Sequence, residues 1–253
     1  MKDIINLLTF NNIHHHYNQN ILVCNLADMK KATFLVKEIL VKVTNSKTMI
    51  FLSGGKTPKE LYGEIAIDET FHPGIVGLVD ERFGERLHKK SNEKMIEDTG
   101  FLKSLRLRGI PFYPILKDGL SRKDTALKYD EELRSLFAVY PKSIGILGLG
   151  SDGHTAGLSA QNSKLKTQKS KVDEEFPLVT EYNDTTGKYG ERVTMTFLGL
   201  SMLDLLIVLV MGNDKKDALN LCFTEGLEEE IPARFFKRPE IARKTILITD
   251  QNV

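Results

Sequence analysis

Residues Ser143 to Leu158 read SIGILGLGSDGHTAGL. The stretch opens on the apolar run Ile144-Gly145-Ile146-Leu147, which suits a short strand buried in the middle of a sheet. It breaks at Gly148 and Gly150 and then delivers Asp152, Gly153, His154 and Thr155. In open α/β sheets ligands bind beyond the carboxyl ends of the strands, so titratable residues just past a buried strand are candidates for chemistry. His154 is the candidate proton-transfer residue. Asp152, two positions earlier, is placed to fix its tautomer. Taken alone, Asp-Gly-His also suits a turn with a surface histidine, and the rest of the chain has to decide.

Three further strand ends have the same character. Met49 to Leu52 is an apolar strand followed by Ser53-Gly54-Gly55-Lys56-Thr57-Pro58-Lys59-Glu60. Thr57 and Glu60 have capping-box spacing and Pro58 falls at a first helical position, which predicts a helix starting here. Backbone N–H groups in a Gly-Gly loop ahead of a helix favour phosphate; a plain strand–loop–helix connection is the equal alternative. The spacing is not that of a Walker A loop. Gly74 to Val79 is a strand running into Asp80-Glu81-Arg82, either a solvated strand end or another functional loop. Leu205 to Met211 is a strand that turns through Gly212-Asn213-Asp214-Lys215-Lys216 into a helix, where a lysine can meet an anion or simply open a solvated helix.

Around these lie helices capped by Asp28, Ser91 and Ser121, and strands at 21–23, 111–116, 176–182, 192–197 (opened by Arg192) and 245–249. Strands alternating with helices predict an α/β fold: a Rossmann-like, mostly parallel sheet with helices on both faces. Residues 21–253 read as one α/β domain. Residues 1–20 are polar and aperiodic and read as a flexible N-terminal extension. The adjacent His14, His15 and His16 cannot all face one metal from a regular element, so no dedicated metal site is expected there. Residues 159–172, rich in Ser, Gln and Lys, read as a mobile surface loop.

Composition narrows the class. The chain has 253 residues, 41% hydrophobic and 27% charged, ordinary for a globular protein with a full core. Net charge is +1, so no global basic bias points to nucleic acid. No signal peptide is evident, and Leu203 to Met211 is too short to span a bilayer. Cys24 and Cys222 each lie in an apolar run, which fits reduced, buried thiols and a cytoplasmic setting.

Six segments in order then carry a resemblance: SGGKTP at 53–58, DER at 80–82, SN at 91–92, LGLGSDGHTAGL at 147–158, RVTMT at 192–196 and GNDKKDAL at 212–219. Together they resemble the 6-phosphogluconolactonase family from residue 21 to the end of the chain. The resemblance implies the fold shared with glucosamine-6-phosphate deaminase and ribose-5-phosphate isomerase, and hydrolysis of 6-phosphoglucono-δ-lactone in the oxidative pentose phosphate route. It implies no cofactor, no metal, a small sugar-phosphate lactone as partner, no nucleic acid or membrane, and a monomer or small homo-oligomer. His154 takes the place of the family's water-activating base and Asp152 that of its orienting partner. Arg82, with Asp80 in the same D-E-R triplet, joins the catalytic set, the arginine steadying negative charge on the attacked carbonyl. Ser53, Gly54, Gly55, Lys56 and Thr57, with Arg192 and Lys215 (or Lys216), correspond to the phosphate pocket.

The chain departs from the family at Gly157-Leu158-Ser159-Ala160, where S-L-F-P is common. Two rival readings exist. Deaminases of the same fold show D-E-Y and G-H-I-A-F-N-E-P at the corresponding places; here Arg82 replaces the tyrosine and no glutamate follows the histidine motif. A non-catalytic sugar-phosphate sensor would carry a DNA-binding helix-turn-helix ahead of the domain, and twenty polar residues are too few for one.

Overall fold

The computed structural model describes residues 1–160, 176–183 and 190–253. Helix α1 (Lys2–Phe10) leads into a hairpin of β1 (His15–Asn18) and β2 (Ile21–Asn25). Helix α2 (Met29–Val43) connects to β3 (Thr48–Leu52), and α3 (Lys59–Ala66) connects to β4 (Ile75–Leu78). The short β5 (Asp80–Arg82) is followed by α4 (Asn92–Glu97), α5 (Phe101–Leu107) and β6 (Phe112–Tyr113). The long α6 (Arg122–Val139) returns the chain to β7 (Lys142–Gly148). Strands β8 (Val179–Asn183) and β9 (Glu191–Met195), helix α7 (Phe197–Ser201) and β10 (Leu205–Val210) come next. Helices α8 (Lys216–Phe223) and α9 (Pro239–Ala242) precede the last strand, β11 (Thr245–Thr249).

The main sheet has eight strands in the order β1-β2-β11-β10-β7-β3-β4-β6. Every pairing in it is parallel except the β1–β2 hairpin. All residues of β3, β10 and β11 are buried, as expected of continuous apolar runs covered on both faces. The side-chain caps predicted from sequence are present. Asp28 accepts from Lys31 N–H at 2.8 Å, Ser91 from Lys94 N–H at 2.8 Å and Ser121 from Asp124 N–H at 3.1 Å. In α2 the stripe Ala32, Leu35, Val36, Ile39 and Leu40 is buried in the hydrophobic core, one apolar face at helical spacing.

Strands β3 and β7 lie side by side, yet the chain leaves β3 toward β4 and leaves β7 toward β10, in opposite directions across the sheet. That reversal opens a crevice at their carboxyl ends. The loops entering it are Ser53–Thr57 and Leu149–His154.

The mostly parallel sheet is as expected, but a second sheet was not foreseen. Strands β5, β9 and β8 form a separate antiparallel sheet. Val79 joins the two: its N–H donates to Leu52 O at 2.9 Å, and its carbonyl accepts from Met195 N–H at 2.8 Å. Asp80-Glu81-Arg82 is therefore a strand turned out of the main sheet, not a solvated end. Arg122 at the start of α6 ion-pairs with Glu181 of β8 and Glu191 of β9, fastening this sheet to the body.

Three other expectations need correction or fall outside. Residues 1–20 form α1 and β1 rather than an unstructured extension. Ile4 and Leu8, one turn apart, are both fully buried, and Gln19 and Asn20 adopt φ of +47° and +67°, the two-residue geometry that closes a tight hairpin. Thr57 makes no capping hydrogen bond, and α3 begins at Lys59 behind a turn closed by Lys59 N–H to Lys56 O at 3.3 Å. Residues 161–172 of the predicted surface loop lie outside the described residues. No described helix is long and apolar enough to cross a membrane.

Candidate active site

The crevice contains a cleft of about 600 Å³. Its wall includes Ser53, Gly54, Gly55, Lys56 and Thr57 after β3, Asp80 and Arg82 of β5, His154 after β7, Arg192 of β9 and Lys215 after β10. All the candidate site residues except Asp152 thus border one cavity, although they come from five places in the chain.

His154 is held by its own turn. Gly150 N–H donates to His154 O at 2.8 Å, and Gly153 N–H donates back to Gly150 O at 3.0 Å. Thr155 Oγ1 donates to Gly148 O at 2.9 Å, tying the turn to the end of β7. The imidazole lies against Gly150 so closely that a Cβ there would sit 1.9 Å from Nδ1, which is why this position is glycine. Asp152 meets the ring of His154: Nδ1 and Oδ1 are 2.6 Å apart. A carboxylate accepts a hydrogen bond from Nδ1–H and so keeps the proton on that nitrogen, leaving Nε2 as the basic one.

On the opposite wall, Arg192 Nη1 donates to Asp80 Oδ2 at 3.0 Å in a nearly buried pair. Arg82 is directly paired with Arg192 across β5 and β9. Its Nη1 donates to Lys90 O at 2.6 Å, and its Nε is buried without a hydrogen-bond partner among the described residues. Burial, then the neighbouring Arg192, pull the Arg82 guanidinium below its ordinary value. Glu81 points the other way, with Oε1 accepting from the N–H groups of Arg82 and Asn92 (2.6 Å each) and Oε2 from Glu93 N–H at 2.8 Å. Burial pushes its carboxyl up to about 7, against the pull of those donors.

The loop after β3 is open to an anion. Among the described residues, no acceptor takes the N–H of Gly54, Gly55, Lys56 or Thr57. Lys56, Arg82, Arg192 and Lys215 against Asp80 and Asp214 leave an excess of two positive charges on the cleft wall. A phosphate monoester carries about that charge in the negative sense near neutrality. Lys215 lines the cleft and ion-pairs with Asp214 at 3.2 Å, whereas Lys216 is exposed and begins α8. Arg192 lines the cleft as expected of a pocket residue and is engaged there by Asp80. Among the described residues no group of three or more His, Cys, Asp or Glu could hold a metal.

Sequence reasoning gave no role to Asn92, which lines the cleft one residue after the cap of α4. Its signal was its place beside the cap residue Ser91, ten positions after Arg82.

Comparison with known proteins agrees with this architecture. Residues 28–246 match the family described as glucosamine-6-phosphate isomerases/6-phosphogluconolactonase. A 6-phosphogluconolactonase of Chlamydia pneumoniae is 33% identical over 187 residues, 72% of this chain and 67% of that one. Another, of Rhizobium meliloti (strain 1021), is 29% identical over 230 residues, 90% and 94% of the two chains. The solved 6-phosphogluconolactonase from Plasmodium vivax aligns with a TM-score of 0.74 at 20% identity, covering 94% of each chain, a likeness of fold. The family match spans most of the sequence, and the chain belongs to the glucosamine-6-phosphate isomerase/6-phosphogluconolactonase family.

Proposed function

We propose that this chain hydrolyses 6-phosphoglucono-δ-lactone to 6-phosphogluconate, the second step of the oxidative pentose phosphate pathway. The observation that carries the reading is the pairing, in one cleft, of the Asp152–His154 dyad with an anion-ready loop and an excess of positive charge. The buried, unbridged Cys24 and Cys222 are consistent with work in a reducing cytoplasm, and the catalytic α/β domain takes in residues 1–20 as well as 21–253, since β1 joins the main sheet.

A δ-lactone is an activated ester, so water needs a base and a stabilised oxyanion. His154 Nε2 takes a proton from water as the oxygen adds to the lactone carbonyl carbon. The tetrahedral oxyanion forms beside the cationic wall, where Arg82 stabilises it. Collapse breaks the bond from that carbon to the ring oxygen, and the imidazolium returns its proton to the departing oxygen. The product carboxylic acid then ionises. Asp152 keeps the ring in the reactive tautomer and steadies its charge in between. Ser53–Thr57, Arg192 and Lys215 hold the phosphate, so the carbonyl is presented to His154 without a search for orientation.

Arg82 favours this reading over a deaminase, since a guanidinium suits a developing oxyanion. The test is hydrolysis of freshly generated 6-phosphoglucono-δ-lactone, with spontaneous opening subtracted and the unphosphorylated lactone as control. Turnover well above background, selective for the phosphorylated lactone, is the expected result. No rate above background, with turnover of glucosamine 6-phosphate instead, would overturn it.

A further inference from the structure

Asn92 is 1% exposed and begins α4. Its Nδ2 donates to Asp80 O at 2.9 Å and its N–H to Glu81 Oε1 at 2.6 Å, so it is clamped to β5. Its Oδ1 is buried and has no hydrogen-bond partner among the described residues. That oxygen lies against the backbone of Gly54. A Cβ added to Gly54 would meet Oδ1 at 1.9 Å, Cγ at 2.3 Å and Nδ2 at 2.8 Å, and no other residue provides a nearer atom. A buried amide oxygen without a donor is uncommon and asks for an explanation. Here the same side chain closes the gap between the loop after β3 and the strand carrying Asp80 and Arg82.

We infer that Asn92 is a positioning residue for the anion loop: it sets the height of Gly54 above β5 and so aligns the loop's N–H groups with the cationic wall. The inference rests on reading that loop as the phosphate subsite. The inference gives Asn92 no part in the chemical step at His154. Its removal therefore weakens the hold on phosphate and leaves the chemical step in place.

The experiment measures kcat, KM and the dissociation constant of inorganic phosphate for the wild type, Asn92→Ala, Gly54→Ala and the double variant. Asn92→Ala raises KM about tenfold with kcat changed less than about threefold, and weakens phosphate by a similar factor. Gly54→Ala, whose new methyl falls on the Asn92 side chain, shows the same pattern. In the double variant that clash is gone, so its KM is no worse than that of Asn92→Ala, a non-additive result, and the change in KM at nearly constant kcat is what a merely structural role would not give. Should Asn92→Ala fail to fold, Gly54→Ala alone is read in the same way. Wild-type KM and phosphate affinity in both single variants, equal losses in kcat and KM, or additive losses in the double would overturn the inference. If the wild type hydrolyses no lactone, the functional reading fails, while the phosphate constants still decide the role of Asn92.

Discussion

Arg82 and Arg192 stand directly opposite each other on β5 and β9, with Asp80 bonded to Arg192. Like charges paired across a strand are unfavourable, the more so with both partners largely out of water. The arrangement makes sense if a bound anion completes it. Arg82→Met keeps the length and removes one charge. It should lower kcat about a hundredfold or more, in the range found for losing an oxyanion donor. The melting temperature should hold or rise. A variant that melts earlier but turns over normally would refute both the repulsion and the catalytic role.

The dyad gives a second expectation. His154→Ala should lower kcat by about a hundredfold or more while 6-phosphogluconate still binds, because the base contributes to proton transfer and not to the hold on phosphate. Asp152→Asn should lower kcat with KM nearly unchanged, since an amide can offer Nδ1 a donor and stabilise the unreactive tautomer. Wild-type turnover in His154→Ala would remove the general-base role.

How much of this could be read from the chain depends on the range of the interactions. Strands β3, β7 and β10 were legible because each carries the apolar run that a buried parallel strand needs, and the polar handover after it marks the sheet's carboxyl edge. The hairpin of β1 and β2 was not, because Gln19-Asn20 lacks the glycine that usually announces such a turn. Nor was the second sheet: β5 is three charged residues, and it is a strand only because β9 supplies its partners from far along the chain. The Asp80–Arg192 pair joins residues 112 positions apart, so no local pattern can reveal it. The candidate site residues could be picked out segment by segment because they lie at or beside strand ends, where an apolar run hands over to polar residues; their meeting in one cleft is what the fold supplies.

Lys215 and Lys216 separate cleanly in space. Lys215 lines the cleft, and Lys216 faces solvent. Lys215→Ala should raise KM about tenfold and change kcat little, as the proposed role of its ammonium at the remote phosphate requires. Lys216→Ala should alter neither constant. Steady-state kinetics on both variants checks this, and an unchanged KM for Lys215→Ala would take that residue out of the phosphate pocket.

Glu81 offers a prediction about stability instead of rate. Its carboxyl is raised from 4.5 to about 7 by burial, despite three backbone donors. Below pH 4.5 the group is protonated in the folded and unfolded chains alike, and its burial carries no ionisation penalty. As pH rises from there, the unfolded chain ionises first, so stability falls until the folded carboxyl ionises near 7 and stays level above it. The loss is on the order of 3 kcal/mol. Glu81→Gln cannot ionise and lacks this dependence, although it has one oxygen to accept what two accept now. The variant should therefore be clearly less stable than wild type at pH 5 and nearer to it, or above it, at pH 8. Thermal unfolding across that range at constant ionic strength measures the gap. A gap independent of pH would show that the carboxylate is already ionised at pH 5, held there by the N–H groups of Arg82, Asn92 and Glu93.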